Sequence, residues 1–187
     1  MTRLGRPGIA LLWHFRIGPD DEWDDDGTER LVGLYSSEAA ARAAIARLRG
    51  KQGFRDWPGG FRLFGCTLDE LSWEDGFAPW DEAPAAPLRE EPVPRAAGPR
   101  TIGDPVPAVS GMALYRVLHR SGDEAPDDKG IGIYSSRARA EAAIRRVRGK
   151  PGFRDWPQGF AILACVLDGD LWPDGFGCEA HARPAPP

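Results

Sequence analysis

Three features of the sequence predict an α+β protein built from two tandem ββαβ units: an internal repeat, a proline-rich interval between the copies, and the same order of strand-like and helix-like patterning within each. Residues 32–77 align without a gap on residues 131–176, at a constant offset of 99, and about 28 of the 46 positions are identical. The shared text includes Tyr35-Ser36-Ser37 with Tyr134-Ser135-Ser136, and Gly53-Phe54-Arg55-Asp56-Trp57-Pro58 with Gly152-Phe153-Arg154-Asp155-Trp156-Pro157. Trp73 and Asp75-Gly76-Phe77 close one copy, Trp172 and Asp174-Gly175-Phe176 the other. The repeat divides the chain into a first unit (9–77), a Pro/Ala-rich linker (78–110), a second unit (111–177) and a disordered tail (178–187).

Each unit opens on a strand. Ile9 to Trp13 is apolar but too short and too interrupted, by His14 and Arg16, for a secretory leader. Leu12-Trp13-His14-Phe15 matches Leu114-Tyr115-Arg116-Val117 after a shift of three residues, so the following loop is expected to be longer in the first copy. In the second copy, Met112 to Arg120, a polar loop and Ile131 to Tyr134 read as a hairpin. Ser135 or Ser136 then stands where a helix needs a side-chain oxygen for its free amides. Ala41, Ala44, Ile45 and Leu48, and likewise Ala140, Ala143, Ile144 and Val147, fall at the i, i+3, i+4, i+7 spacing of one buried helical face.

Gly50 and Gly149 are placed for a left-handed helix stop, and the arginines before them complement the negative end of the helix. Phe61 to Leu68 and Phe160 to Leu167 supply a third strand, the latter apolar enough to be buried on both faces. Each unit is thus expected to be an antiparallel or mixed three-stranded sheet under one helix. Such a small unit makes a marginal core, so a pseudo-twofold pairing of the two is expected.

Composition narrows the function classes. The chain has 187 residues, 42% hydrophobic and 28% charged, and a net charge of −4. No apolar run reaches the roughly 18–20 residues that span a bilayer, and the acidic balance argues against general affinity for nucleic acid or anionic membrane. Three cysteines without ligand spacing point to a cytoplasmic protein with no metal and no cofactor. Asp20 to Asp26 is acidic but lacks the glycine and terminal glutamate of a calcium loop, and reads as a solvated charge run. The helix arginines read as solvated faces.

Catalytic motifs are missing: there is no GxSxG, HExxH, P-loop or GxGxxG after a strand, and Cys66 and Cys165 align at mid-strand, where a thiol packs as a small hydrophobe. No catalytic residue is assigned, and the chain is not expected to be an enzyme. Trp and Arg dominate interaction hot spots, which makes Trp57, Arg55, Trp156 and Arg154 in the repeated turns, and Trp23 in the acidic loop, the candidate partner-binding residues. The competing reading has Trp57 and Trp156 closing the end of each small core. Trp73, Trp172, Phe77 and Phe176 read as apolar anchors holding each tail to its sheet.

The pattern Gly-Ile-Tyr-Ser-Ser, an Ala/Arg helix, Pro-Gly-Phe-Arg-Asp-x-Pro-x-Gly-Phe, Leu-Asp, Trp and Gly-Phe, clearest over Gly132 to Phe176, resembles a family of small bacterial domains of unknown function. The first copy follows it less closely, with Gln52 in place of Pro151. The resemblance implies a compact bacterial domain in tandem and carries over no catalytic residue. The functional expectation is a non-catalytic protein that engages a protein partner, an immunity-type toxin inhibitor being one concrete form. The alternative is a small-ligand sensor or carrier with a pocket between the repeats. The chain is expected to be a monomer containing an intramolecular pseudo-dimer, or a weak homo-oligomer.

Overall fold

A computed structural model describes residues 8–16, 29–77, 109–121 and 127–176. The proline-rich interval from 78 to 108, the tail from 177 onward and the acidic loop with Trp23 lie outside the described residues. The architecture is mixed α+β, with two antiparallel sheets and two helices. The first half contributes β1 (Gly8–His14), β2 (Arg30–Tyr35), α1 (Glu38–Leu48) and β3 (Phe61–Thr67). The second contributes β4 (Ala113–Ser121), β5 (Asp127–Tyr134), α2 (Arg137–Val147), β6 (Phe160–Val166) and the two-residue β7 (Gly169–Asp170). Strand order is β3-β1-β2-β7 in one sheet and β5-β4-β6 in the other. No described helix is long and apolar enough to cross a membrane.

The helices begin as their sequences dictate. Ser37 and Ser136 take extended backbone conformations, and their hydroxyls accept from the Ala40 and Arg139 amides at 3.1 and 3.3 Å. Their ends differ from expectation. Gly50 and Gly149 do not adopt positive φ; the chain continues right-handed through Arg49 and Arg148, and Lys51 and Lys150 donate to Leu48 and Val147 at 2.8 Å. The tightened last turn satisfies those carbonyls, so no left-handed residue is required there.

Period-two alternation sorts each sheet into two buried faces. Leu12, Val32 and Tyr35 pack under Ala41, Ala44 and Leu48 of α1, and Val117, Ile131 and Tyr134 pack under Ala140, Ala143 and Val147 of α2. The alanines let each helix lie close to its sheet. The opposite faces meet in a third cluster drawn from both halves: Ile9, Leu31, Leu34 and Leu68 with Leu114, Ile133, Cys165 and Leu167. A bulge in β2 puts Leu31 and Leu34, three residues apart, on that same face.

Two expectations change. The first sheet has four strands, because Asp170 of β7 pairs with Gly33 of β2. β6 is not buried on both faces: it ends its sheet, with Leu163 45% and Val166 53% exposed, because among the described strands only β4 pairs along it, and β2 meets the chain just past its end, at Leu34 and Leu167. An apolar run of strand length looks the same in a central strand and in an unguarded edge.

The segments after β3 and β6 do not fold back on their own halves; each crosses to the other. Asp69 and Ser72 donate backbone N–H bonds to Ile133 and Ile131, and Asp168 and Leu171 donate in the same way to Leu34 and Val32, all within 2.8–2.9 Å. Leu71 and Phe77 join the core under α2, whereas Trp172 and Phe176 join the core under α1. Each half therefore closes on residues supplied by the other.

Candidate functional site

The Gly-Phe-Arg-Asp-Trp-Pro turns lie between each helix and the third strand, and backbone bonds fix them locally. Arg55 donates to Lys51 O at 3.0 Å, Trp57 to Phe54 O at 3.2 Å, and Gly60 to Trp57 O at 3.0 Å; the second turn repeats all three. Phe54 and Phe153 point inward and are fully buried, so these residues, and not the tryptophans, plug the end of each core. Trp57 and Trp156 are left half-buried, beside the exposed pairs Arg55–Asp56 and Arg154–Asp155, each 3.5 Å apart. Arg16 also lies over the Trp57 ring, 5.9 Å from its centroid.

A buried histidine clamps each turn from beneath. His14 Nε2 donates to Trp57 O, and His119 Nε2 to Trp156 O, both at 2.9 Å. A carbonyl oxygen only accepts, so Nε2 carries a proton in both; in His14, where burial favours the neutral ring, Nδ1 then presents a lone pair. Neither Nδ1 has a hydrogen-bond partner among the described residues. Aromatic edges enclose both rings: Phe54, Phe61 and Phe176 around His14, and Phe153, Phe160 and Phe77 around His119. Burial pushes the His14 imidazole below its ordinary 6.5; the Trp57 carbonyl opposes this and Arg30 adds to it.

The crossing tails reach the same turns. Phe77 N donates to Pro151 O at 3.1 Å, and Phe176 N to Gln52 O at 3.0 Å. Gly53 and Gly152 have φ of +83° and +79°, and a Cβ on either would lie within about 3 Å of Phe176 or Phe77 of the opposite tail. Each turn is thus shaped by its own histidine and by the other half's phenylalanine. Arg30 covers the Phe176 ring at 4.8 Å and Lys129 the Phe77 ring at 4.6 Å, which shields the outer side of each tail anchor.

The two expected tail tryptophans part company. Trp172 donates its indole N–H to Leu31 O at 3.0 Å, whereas Trp73 remains 44% exposed.

Aspartates fasten the tails to the helix N-termini, where unpaired amides and the helix dipole favour an anion. Asp69, only 1% exposed, accepts from the Ser135 amide, the Ser135 hydroxyl and Arg139 Nη1, the last at 2.8 Å. Asp168 accepts from the Ser36 amide at 2.8 Å and the Ser36 hydroxyl at 3.0 Å. Burial raises the Asp168 carboxyl, but bonds from Ser36 N–H and the Ser110 and Ser36 hydroxyls outweigh it and hold the group below its ordinary 3.8. Arg47 pairs with Asp170 at 3.0 Å and Arg146 with Glu74 at 2.7 Å, again from helix to opposite tail. Several helix arginines expected to be solvated therefore hold the halves together.

Of the candidate partner-binding residues, Trp57 with Arg55 and Trp156 with Arg154 occupy these two turns; Trp23 lies outside the described residues. The equivalence of the two histidines is hidden in the sequence because residues 12–15 resemble residues 114–117 three residues out of the true register. In the structure His14 faces Phe61 and His119 faces Phe160, so Ile9 corresponds to Leu114 and His14 to His119. The signal was the histidine at the polar end of each strand. Cys165 is buried and Cys66 partly so, and burial together with Glu70 pushes the Cys66 thiol up to about 11. That protonated thiol is a poor nucleophile at neutral pH. Among the described residues, no group of three or more His, Cys, Asp or Glu side chains is arranged to hold a metal ion. No protein-family model matches the chain, and no solved structure matches it.

Proposed function

We propose that the chain is a duplicated ββαβ unit acting as a non-catalytic, cytoplasmic binding protein, which engages a protein partner through the two Gly-Phe-Arg-Asp-Trp-Pro turns. An immunity-type inhibitor of a toxin is a concrete form of this activity. The observation that carries the reading is the division of labour within each turn: phenylalanine fills the core, while tryptophan and an Arg–Asp pair remain at the surface. Tryptophan and arginine are the residues that most often anchor protein interfaces. The histidine clamp and the opposing Phe176 or Phe77 hold each turn in one conformation, so little ordering entropy is lost on docking.

The test compares wild-type bait with a Trp57→Ala/Trp156→Ala double variant in a pull-down from the native host, with melting curves of both. A stoichiometric protein recovered by wild type and lost with the variant, at a stability within about 2 kcal/mol of wild type, supports the reading. A loss of about 3–5 kcal/mol per site, as for emptied aromatic core positions, assigns the tryptophans to packing and removes the proposal's basis.

A further inference from the structure

The first turn is tied to the rest of the protein more lightly than the strands around it. Its backbone bonds run mostly within the turn, from Arg55 N to Lys51 O, Trp57 N to Phe54 O and Gly60 N to Trp57 O. Among the described residues, its ties to other elements are Phe15 N to Gly60 O at 2.9 Å, Phe176 N to Gln52 O at 3.0 Å and His14 Nε2 to Trp57 O at 2.9 Å. The outside bond to the Trp57 backbone is thus the imidazole's. Gly60 shows how closely the ring and β1 press on the turn, because a Cβ there would collide with Phe15 O and stand 3.0 Å from His14 Nε2. His14 is 1% exposed, and what faces it offers no acceptor for a second ring proton. Phe54 of the turn, Phe61 of β3 and Phe176 of the crossing tail enclose it, and α1 adds Ala41, Ala44 and Leu48 to the same core. Opposite it on β2 stands Arg30, a cation. Nδ1 has no partner among the described residues. A proton placed there creates a buried, unpaired donor on a charged ring beside a second positive charge, an arrangement that burial penalises heavily.

We propose that His14 is an acid-sensitive latch on the Trp57 turn: the neutral ring holds the turn shut through Trp57 O, and a ring that takes up a proton at Nδ1 reaches water by letting the turn and the Phe176 anchor part from it while the sheet stays folded. β1 resists because it is paired on both sides, with β2 and β3, whereas the turn depends on the three ties above. Proteins open first where the fewest bonds are lost. As regulation, the latch rests on the partner-binding reading of the turn: a loosened turn must be ordered again on docking, so acid weakens docking. The opening itself belongs to the free chain and is measured without a partner.

Amide hydrogen exchange of the full chain, followed residue by residue from neutral to mildly acidic pH and corrected for the intrinsic exchange rate, is the test. One proton taken up per opening makes the opening constant at Trp57, Gly60 and Phe176 rise by up to about tenfold for each pH unit below about 6.5, while the amides of the β1–β2 ladder and of α1 keep their protection. His14→Gln keeps a side-chain N–H for Trp57 O but cannot titrate, and should abolish the slope. Arg30→Gln removes the neighbouring cation and should shrink the acid-induced gain. Turn amides whose corrected exchange is flat with pH overturn the proposal, as does a slope that persists in His14→Gln. An equal rise at the strand and helix amides also overturns it, since the whole half then opens and the turn is no latch. A pull-down that recovers no partner removes the binding role and leaves the predicted slope in place, so the two failures are distinguishable.

Discussion

Phe176→Ala separates a tail that crosses from a tail that folds back, because the residue belongs to the second half by sequence and to the first by packing. Its ring lies 4.8 Å from Phe54, 5.9 Å from His14 and 5.9 Å from Trp172, with Arg30 above it at 4.8 Å. Truncating a fully buried phenylalanine costs about 3–5 kcal/mol; Phe176 is half-buried, so about 2–3 kcal/mol is expected. At roughly 2–4 °C per kcal/mol for a chain of this size, the melting temperature should fall by about 5–10 °C. Native-state hydrogen exchange reads the location of the loss. Protection should fall in β1, β2 and α1, which Phe176 covers, and be largely retained in β4, β5 and α2. Loss confined to β4, β5 and α2 would refute the crossed arrangement.

Asp69→Ala removes a buried acceptor from Ser135 and Arg139 and places alanine at a φ of 62°, so a loss of about 3 kcal/mol is expected from urea titration. Asp69→Asn should lose less, since asparagine tolerates that backbone and still accepts from the Ser135 amide. Stability should also fall as pH drops below about 6.5: unfolded His14 takes up a proton there, while the buried imidazole, with its lowered pKa, resists it. His14→Gln should flatten that part of the pH profile relative to wild type. Asp168 acts at lower pH. Its depressed pKa supplies stability that is present above the unfolded value and lost as pH falls through the folded one, and Asp168→Asn should remove that increment.

Local structure was legible wherever one residue answers one local need. A serine cap after Tyr35 and after Tyr134 follows from the backbone chemistry of a helix start, the structure choosing Ser136 over Ser135, and Ser37 in the first half, and the buried faces of α1 and α2 follow from apolar spacing. The crossing tails were not legible. Asp69 and Asp168, or Phe77 and Phe176, are identical between the halves, and contacts within and between equivalent halves leave the same sequence trace. The clamp on the turns was hidden for a different reason: the His14–His119 correspondence depends on strand register, and the unequal loop after β1 obscures it. The edge position of β6 was also out of reach, because apolar character reports burial potential and not which neighbours a fold supplies. The phenylalanines of the turn, Phe54 and Phe153, were overlooked as core plugs because the adjacent tryptophans are larger.

Cutting the chain within 78–108 and expressing the two pieces, separately and together, tests mutual completion of the halves most directly. The pieces should co-purify at one to one and melt in a single transition near that of the intact chain, whereas either piece alone should be unfolded or should pair with a second copy of itself. Two pieces that each fold as a stable monomer, with no affinity for one another, would contradict it.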